Sequence, residues 1–172
     1  MSCTDIIKHK VHIKHSRGVS SDKACLELIK KIVQRTLRCE KADTLCVINV
    51  LITNDKEIRT YNRKYRDKDI ATDVLSFPMQ EFTSAGWIGL TEPEPDIDTG
   101  YLPLGDIVIS IESAKKQADL YDNSVEYETA YLIIHSTLHL IGYNHDNKEN
   151  EKLMHGKTKE IIKETGLCIN DK

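Results

Sequence analysis

Three histidines lie in the stretch His135-Ser136-Thr137-Leu138-His139-Leu140-Ile141-Gly142-Tyr143-Asn144-His145-Asp146, and their spacing suits a metal ion. His135 and His139 are four apart, which on an α-helix stacks their imidazoles on one face with Cβ atoms ~6 Å apart. His145 would swing away from that face on a continuing helix, so the helix has to stop first. Gly142 stands where the stop is needed, because the residue past a helix end commonly takes a positive φ and glycine does so at little cost. The chain can then double back and bring His145 to the same ion. Three imidazoles with a fourth position open to water is the ligand set of a catalytic zinc site, whereas structural zinc has four protein ligands. The neighbours Leu132, Ile133, Ile134, Leu138, Leu140 and Ile141 are apolar. Unliganded histidines there would bury ring nitrogens that lack partners.

One divalent ion, with zinc the expected one, would lower the pKa of bound water toward neutrality and polarise a phosphoryl or carbonyl oxygen, which makes hydrolysis the natural reaction. The spacing His-x-x-x-His-x-x-Gly-x-x-His is shared with metzincin proteases, so the ligands alone do not choose the bond. Those enzymes place a glutamate directly after the first histidine as general base, and Ser136 has no carboxylate to offer. A zinc peptidase is therefore disfavoured. Metal-bound imidazoles usually pass their second N–H to a carboxylate or carbonyl. Asp73, Asp106 and Asp146 are the candidate partners, and Asp146 is equally placed to cap a following helix.

The elements that must position these residues read in the order β-α-β-α-β-β-α-α-α. Period-two alternation from Lys8 to Lys14 predicts a strand, with His9, His12 and His15 expected at the surface. Ser20 to Glu40 reads as a helix capped by Ser20, Ser21 or Asp22, with Leu26, Ile29, Val33 and Leu37 at helical spacing. Leu45 to Thr53 is a mostly apolar strand expected to be buried on both faces. Asn54 opens a second helix with Glu57 in capping-box position. That helix carries Arg59, Arg63, Lys64 and Arg66, with Lys68 just beyond. A short strand, Val74 to Phe77, is closed by Pro78. Gln80 to Pro103, with its glycines and prolines and the acidic group Glu92, Glu94, Asp96 and Asp98, reads as a long surface loop. Leu104 to Ile109 is a strand, and Ser110 caps a helix to about Asp122. Ser124 caps the metal helix, which ends near Gly142, and a last helix runs from about Lys148 to Thr165. This is an α/β (α+β) chain, a small sheet covered by helices.

Three ordered blocks carry a family resemblance. The histidine stretch resembles the signature of the YbeY family of metal-dependent endoribonucleases, the rRNA maturation factors, roughly His-Gly-x-Leu-His-Leu-x-Gly-Tyr-Asp-His. Residues 62–78, NRKYRDKDIATDVLSFP, resemble its Asn-x-x-Tyr-Arg-x-x-Asp-x-Pro-Thr-Asp-Val-Leu-Ser-Phe-Pro, and residues 104–110, LGDIVIS, its Leu-Gly-Asp-Ile-x-Ile-Ser. The chain departs from the pattern with Ser136 for glycine, Asn144 for aspartate and Ala71 for proline, none of which removes a candidate ligand. The resemblance implies a mixed sheet of about four strands with the metal helix central. It also implies phosphodiester hydrolysis in single-stranded RNA, with the 3′ end of 16S rRNA and defective ribosomes as substrates and the small ribosomal subunit and its proteins as partners. Arg66 matches the family's functional arginine, and a guanidinium fork suits a scissile phosphate. Its plain alternative is a surface ion pair with Asp67 or Asp69. A non-catalytic ribosome-assembly factor is a further alternative, against which an open coordination position argues.

Composition sets the outer bounds. At 172 residues the chain is expected to form one domain, residues 1–172. No run approaches the ~18–20 apolar residues of a membrane span and the first residues lack a signal-peptide core, so a cytoplasmic protein without a membrane partner is expected. Cys3, Cys25, Cys39, Cys46 and Cys168 are odd in number and scattered, which points to reduced thiols. The net charge of −3 argues for no nucleic-acid role, but residues 1–70 hold 16 Lys and Arg against 9 Asp and Glu, and the rest 8 against 18. A basic half can supply a phosphate-binding patch.

Overall fold

The computed structural model describes residues 8–167. Cys3 and Cys168 fall outside that range. The elements are β1 (Lys10–His15), α1 (Lys23–Cys39), β2 (Cys46–Thr53), α2 (Asp55–Arg66), β3 (Val74–Pro78), a 3₁₀ turn (Trp87–Gly89), β4 (Leu102–Ser110), α3 (Ile111–Tyr121), α4 (Val125–Leu140) and α5 (Lys148–Glu164). The sheet has the order β1-β2-β4-β3, parallel except for the antiparallel edge strand β3. It is a mixed α/β sheet of four strands, and the order of elements is the one the sequence predicts.

Alternation within the strands sorts the side chains to two faces. On the inner face Cys46, Ile48, Val50 and Ile52 of β2 join Leu102, Leu104, Ile107 and Ile109 of β4 against α1 and α4. On the outer face a smaller cluster of Ile58, Leu75 and Val108 seats α2 over the β3–β4 half of the sheet, with Leu51, Tyr61 and Phe77 packed at its edge. The outer side of β2 is therefore not sealed. Asn49 is exposed and Val47 and Leu51 are half-buried, so the expectation of burial on both faces fails because α2 does not extend over β1 and β2.

Helix α4 is the pivot of the inner layer. From Tyr127 to Leu140 every residue is buried except Tyr131, His135 and His139, which are half-buried and recur every fourth position. An otherwise enclosed helix thus opens along one narrow stripe. Its start is fixed by Ser124, whose Oγ accepts from the Tyr127 N–H at 3.0 Å. At other helix starts Asp22, rather than Ser20 or Ser21, caps α1, and Asn147, rather than Asp146, caps α5. Asn54 caps α2 as predicted, but the Glu57 carboxylate accepts from the Thr53 hydroxyl at 2.9 Å.

Two further expectations need correction. His9 is 5% exposed and not a surface residue: its Nδ1 accepts from the Cys46 N–H, its backbone N–H donates to Gln34 Oε1, and burial, with the charge of Arg38 second, lowers its pKa. His12 and His15 are exposed. The stretch from Gln80 to Pro103 is not all surface loop either. Phe82, Ala85, Trp87 and Leu90 pack against the main core, Phe82 bridges to Leu90, and β4 begins at Leu102. Residues 92–100 are exposed throughout.

Candidate metal centre

The helix stop that the histidines require is built as predicted, and with more definition than a lone glycine implies. The Tyr143 N–H reaches back to the Leu138 carbonyl at 3.1 Å and the Gly142 N–H to the His139 carbonyl at 3.2 Å, the paired bonds of a Schellman ending. Gly142 has φ +90°, and a Cβ on it would lie 2.5 Å from Phe82 Cβ and 3.0 Å from the Ser84 carbonyl oxygen. Glycine is required here twice, by the backbone conformation and by the segment that crosses in front of it. The reversal then carries His145 back toward the helix.

One ligand atom from each of His135, His139 and His145 falls within 4.8 Å of the others. The Nε2 atoms of His135 and His139 are 3.2 Å apart. Two nitrogens ~2.0–2.1 Å from one tetrahedral ion stand about 3.3 Å from each other, so the pair is already at chelating distance. His139 Nδ1 lies 2.8 Å from the Tyr143 carbonyl oxygen. Donation to that acceptor puts the proton on Nδ1 and leaves the Nε2 lone pair facing the other rings. The fit to a divalent metal therefore rests on donor type, separation and tautomer together.

His135 and His139 are both shifted toward the neutral form. Burial, then the neighbouring His139 and His145, push His135 down to about 4, while the Asp73 carboxylate opposes them weakly. Burial also lowers His139, with the Tyr143 carbonyl opposing and the charge of Arg66 adding to the lowering. Neutral rings can accept a cation without first losing a proton.

For His139 the Tyr143 carbonyl, a backbone group, does the orienting for which carboxylates were the candidates. Asp73 is engaged elsewhere, accepting from the Val74 N–H at 2.8 Å, the Thr72 hydroxyl at 3.1 Å and Gln117 Nε2 at 2.8 Å; it reaches His135 only through its field. Asp106 is on the outer face, bound by Asn49 Nδ2 at 2.8 Å, because the register shift at Val47/Ile48 opposite Gly105 sets its side chain away from α4. Asp146 is exposed and acts on His139 only through its charge. Asn144, where the family pattern has aspartate, accepts from Asn150 Nδ2 at 2.7 Å and ties the His145 turn to α5. Ser136 is fully buried and its Oγ lacks a hydrogen-bond partner. It points into the core, where no substitute for a protease glutamate could act.

Arg66 ends α2 at the edge of β3, where Nη2 donates to the Ser76 carbonyl at 3.3 Å. The surface ion pair that was its alternative is made by other residues. Asp69 is gripped by Arg59 at 2.9 and 3.0 Å, with Arg63 at 3.8 Å, and among the described residues no carboxylate lies within 4 Å of Arg66.

Beside the histidines a cleft of about 620 Å³ is lined by Tyr131, His135, His145, Lys148, Lys152 and His155, with Glu151 and Met154 completing it. Tyr131 stacks on His135 at 6.2 Å between centroids and 13° between planes. It lies one helical turn before His135, a spacing visible in the sequence but not singled out there. Further out, Tyr143 donates to Glu40 Oε2 at 2.8 Å, and Lys157 lies 3.3 Å from Glu40 Oε1. No local pattern announces a contact between residues 103 positions apart.

The Endoribonuclease YbeY family pattern matches residues 10–166. The chain belongs to the YbeY family. Similar relatives include the Endoribonuclease YbeY of Caldanaerobacter subterraneus subsp. tengcongensis, 41% identical over 153 residues and covering 88% of this chain and 95% of the relative. That of Bacillus cereus is 38% identical over 146 residues, covering 84% and 88%. The solution structure of TM1509 from Thermotoga maritima superposes with a TM-score of 0.58 at 27% identity, over 90% of this chain and 87% of that one. The YbeY sheet with a histidine-bearing inner helix is thus the frame of this protein. Among the described residues no helix is long and apolar enough to cross a membrane.

Proposed function

We propose that the chain is a metal-dependent endoribonuclease that cuts single-stranded RNA, acting in maturation of the 16S rRNA 3′ end and in ribosome quality control. The single observation that carries the reading is the meeting of His135, His139 and His145 within 4.8 Å of one another beside an open cleft, in a chain of the Endoribonuclease YbeY family. Zinc is the proposed ion, since three imidazole ligands suit it. The small ribosomal subunit and its proteins are the proposed partners, and the cytoplasm the proposed location.

When bound, the ion would activate water and polarise a phosphoryl oxygen. The protein's own groups do the rest. The Tyr143 carbonyl fixes the tautomer of His139, and burial keeps His135 and His139 unprotonated. Arg66 is proposed as the catalytic cation: among the described residues no carboxylate neutralises it, its charge is felt at His139, and its planar fork can take two oxygens of a phosphate as negative charge develops. Lys148 and Lys152, with Glu151 between them, line the cleft and offer two cations to flanking phosphates.

The test uses one purified preparation, metal-loaded and chelated, offered single-stranded RNA, duplex RNA and casein side by side, with metal content measured in parallel. Metal-dependent cutting confined to single-stranded RNA is expected. Casein cleavage with inert RNA would transfer the site to the peptidases. Metal and ribosome binding with no cleavage would leave an assembly factor.

A further inference from the structure

A second cavity lies away from the histidines. It is an open groove of about 950 Å³ on the outer face of the sheet, where α2 stops short of β1 and β2. Its aromatic wall comes from α2 and β3. Tyr61 and Tyr65 lie parallel at 6.4 Å and 8°, Phe77 meets Tyr65 edge-on at 5.2 Å, and Lys64 Nζ stands 4.9 Å over the Tyr65 ring. Tyr65 is 54% exposed, a large ring left in water although the outer-face cluster of Ile58, Leu75 and Val108 lies beside it. The other wall is β1, whose outer positions are Lys10, His12 and Lys14, all exposed. Among the lining residues the one carboxylate is Asp106, already engaged by Asn49.

We infer that this groove binds unpaired RNA bases of the strand whose scissile phosphate lies at the histidines, with Tyr65 as the stacking platform and Lys14 and Lys64 holding flanking phosphates. The inference rests on the endoribonuclease reading for the identity of the polymer. Three observations favour RNA. Exposed rings interleaved with lysines on an open sheet face are what unpaired nucleotides use, since every base has a π-face and the backbone needs only cations. The cationic wall is complementary to phosphate. The groove is also continuous in sequence with the candidate site, because Tyr65 directly precedes Arg66, and Phe77 lies on the outer side of β3 next to Ser76, whose carbonyl Arg66 holds. A strand crossing the β3 edge would pass from ring to guanidinium to histidines. A duplex, whose bases are already stacked on each other, has no face to give Tyr65, so the groove would itself select single strands.

The experiment is fluorescence anisotropy of the full-length, zinc-loaded protein with a fluorescein-labelled 2′-O-methyl oligouridylate, checked intact on a gel. Tyr65→Leu keeps apolar cover and removes the ring; about a tenfold loss of affinity is expected, at the scale of one base–aromatic stack. Tyr65→Trp restores binding, which a merely structural role would not do. Lys14→Glu weakens binding and lowers the salt slope by about one, and zinc content stays at the parent level in all three. Affinity within twofold of the parent for Tyr65→Leu, or a parent that does not bind the probe, would overturn the inference. Binding with the stated Tyr65 dependence by a protein that leaves ordinary RNA uncut would overturn the endoribonuclease reading alone.

Discussion

Replacing Gly142 with alanine tests whether the helix ending builds the metal centre. A left-handed backbone costs an L-residue roughly 1–2 kcal/mol, and forcing a methyl into a filled site adds about 1–3 kcal/mol. Both apply, since φ is +90° and the new Cβ would stand 2.5 Å from Phe82 Cβ, well inside the ~3.5–4.0 Å of a relaxed carbon pair. The expected destabilisation is about 2–5 kcal/mol, or roughly 5–20 °C in melting temperature for a chain of this size. Relief requires either the Phe82–Ser84 segment or the reversal to move, and moving the reversal takes the Tyr143 carbonyl from His139 and displaces His145. The gap between chelated and zinc-loaded melting temperatures should therefore shrink as well, because ligand stabilisation follows affinity. Calorimetry of both forms, with zinc measured by titration, makes the comparison. A Gly142→Ala protein that melts within 2 °C of the parent and keeps its zinc-dependent gap would refute the reasoning.

Changing both His139 and His145 to alanine should abolish stoichiometric zinc, and metal analysis after dialysis checks it. Arg66→Ala should remove most RNA cleavage with metal content and far-ultraviolet dichroism unchanged; Arg66→Lys should recover only part, since the planar fork is lost, and parental activity in the alanine variant would exclude the catalytic assignment. Ser136→Ala should raise stability by about 1–2 kcal/mol by deleting a buried hydroxyl without a partner, read as a shifted urea midpoint. For the chelated protein the folded-state value of His135, about 4, is below the unfolded 6.5, so its contribution is fully present above pH 6.5 and is lost as pH falls toward 4. His9 and His139, also lowered, act in the same direction. The contribution of His135 alone is about 3 kcal/mol, and a urea midpoint that stays flat from pH 7 to 5 would contradict it.

The order of elements was legible because caps and periodicity are local: Ser110, Ser124 and Asn54 announce their helices within three residues. The meeting of the histidines was legible for the same reason, a four-residue spacing followed by a glycine. What failed depended on contacts distant in sequence. Which face Asp106 joins follows from a register shift opposite Gly105, where φ is +141° and a Cβ would run into the Phe77 carbonyl oxygen, and period-two reading has no means to see that irregularity. His9 is buried by Gln34 and Cys46. The segment around Phe82 and Trp87 reads as loop by its turn residues, yet it packs on the core and closes over Gly142. For His139 the acceptor is a backbone carbonyl and not one of the Asp candidates, and every residue has such a carbonyl.

The ligands are divided unequally between a helix enclosed by the core and an exposed turn. His135 and His139 sit on α4, which cannot move without disrupting the main core, whereas residues 144–147 carrying His145 are all exposed. Local opening of such a turn takes far less free energy than global unfolding. An ion held by the three histidines would therefore enter and leave through excursions of the His145 turn while the sheet and α4 remain folded. Metal exchange would then be a native-state event whose rate follows amide exchange in that turn and not the unfolding rate, and the occupant at any moment would reflect the ions present around the mature protein, not the one that was there when it folded.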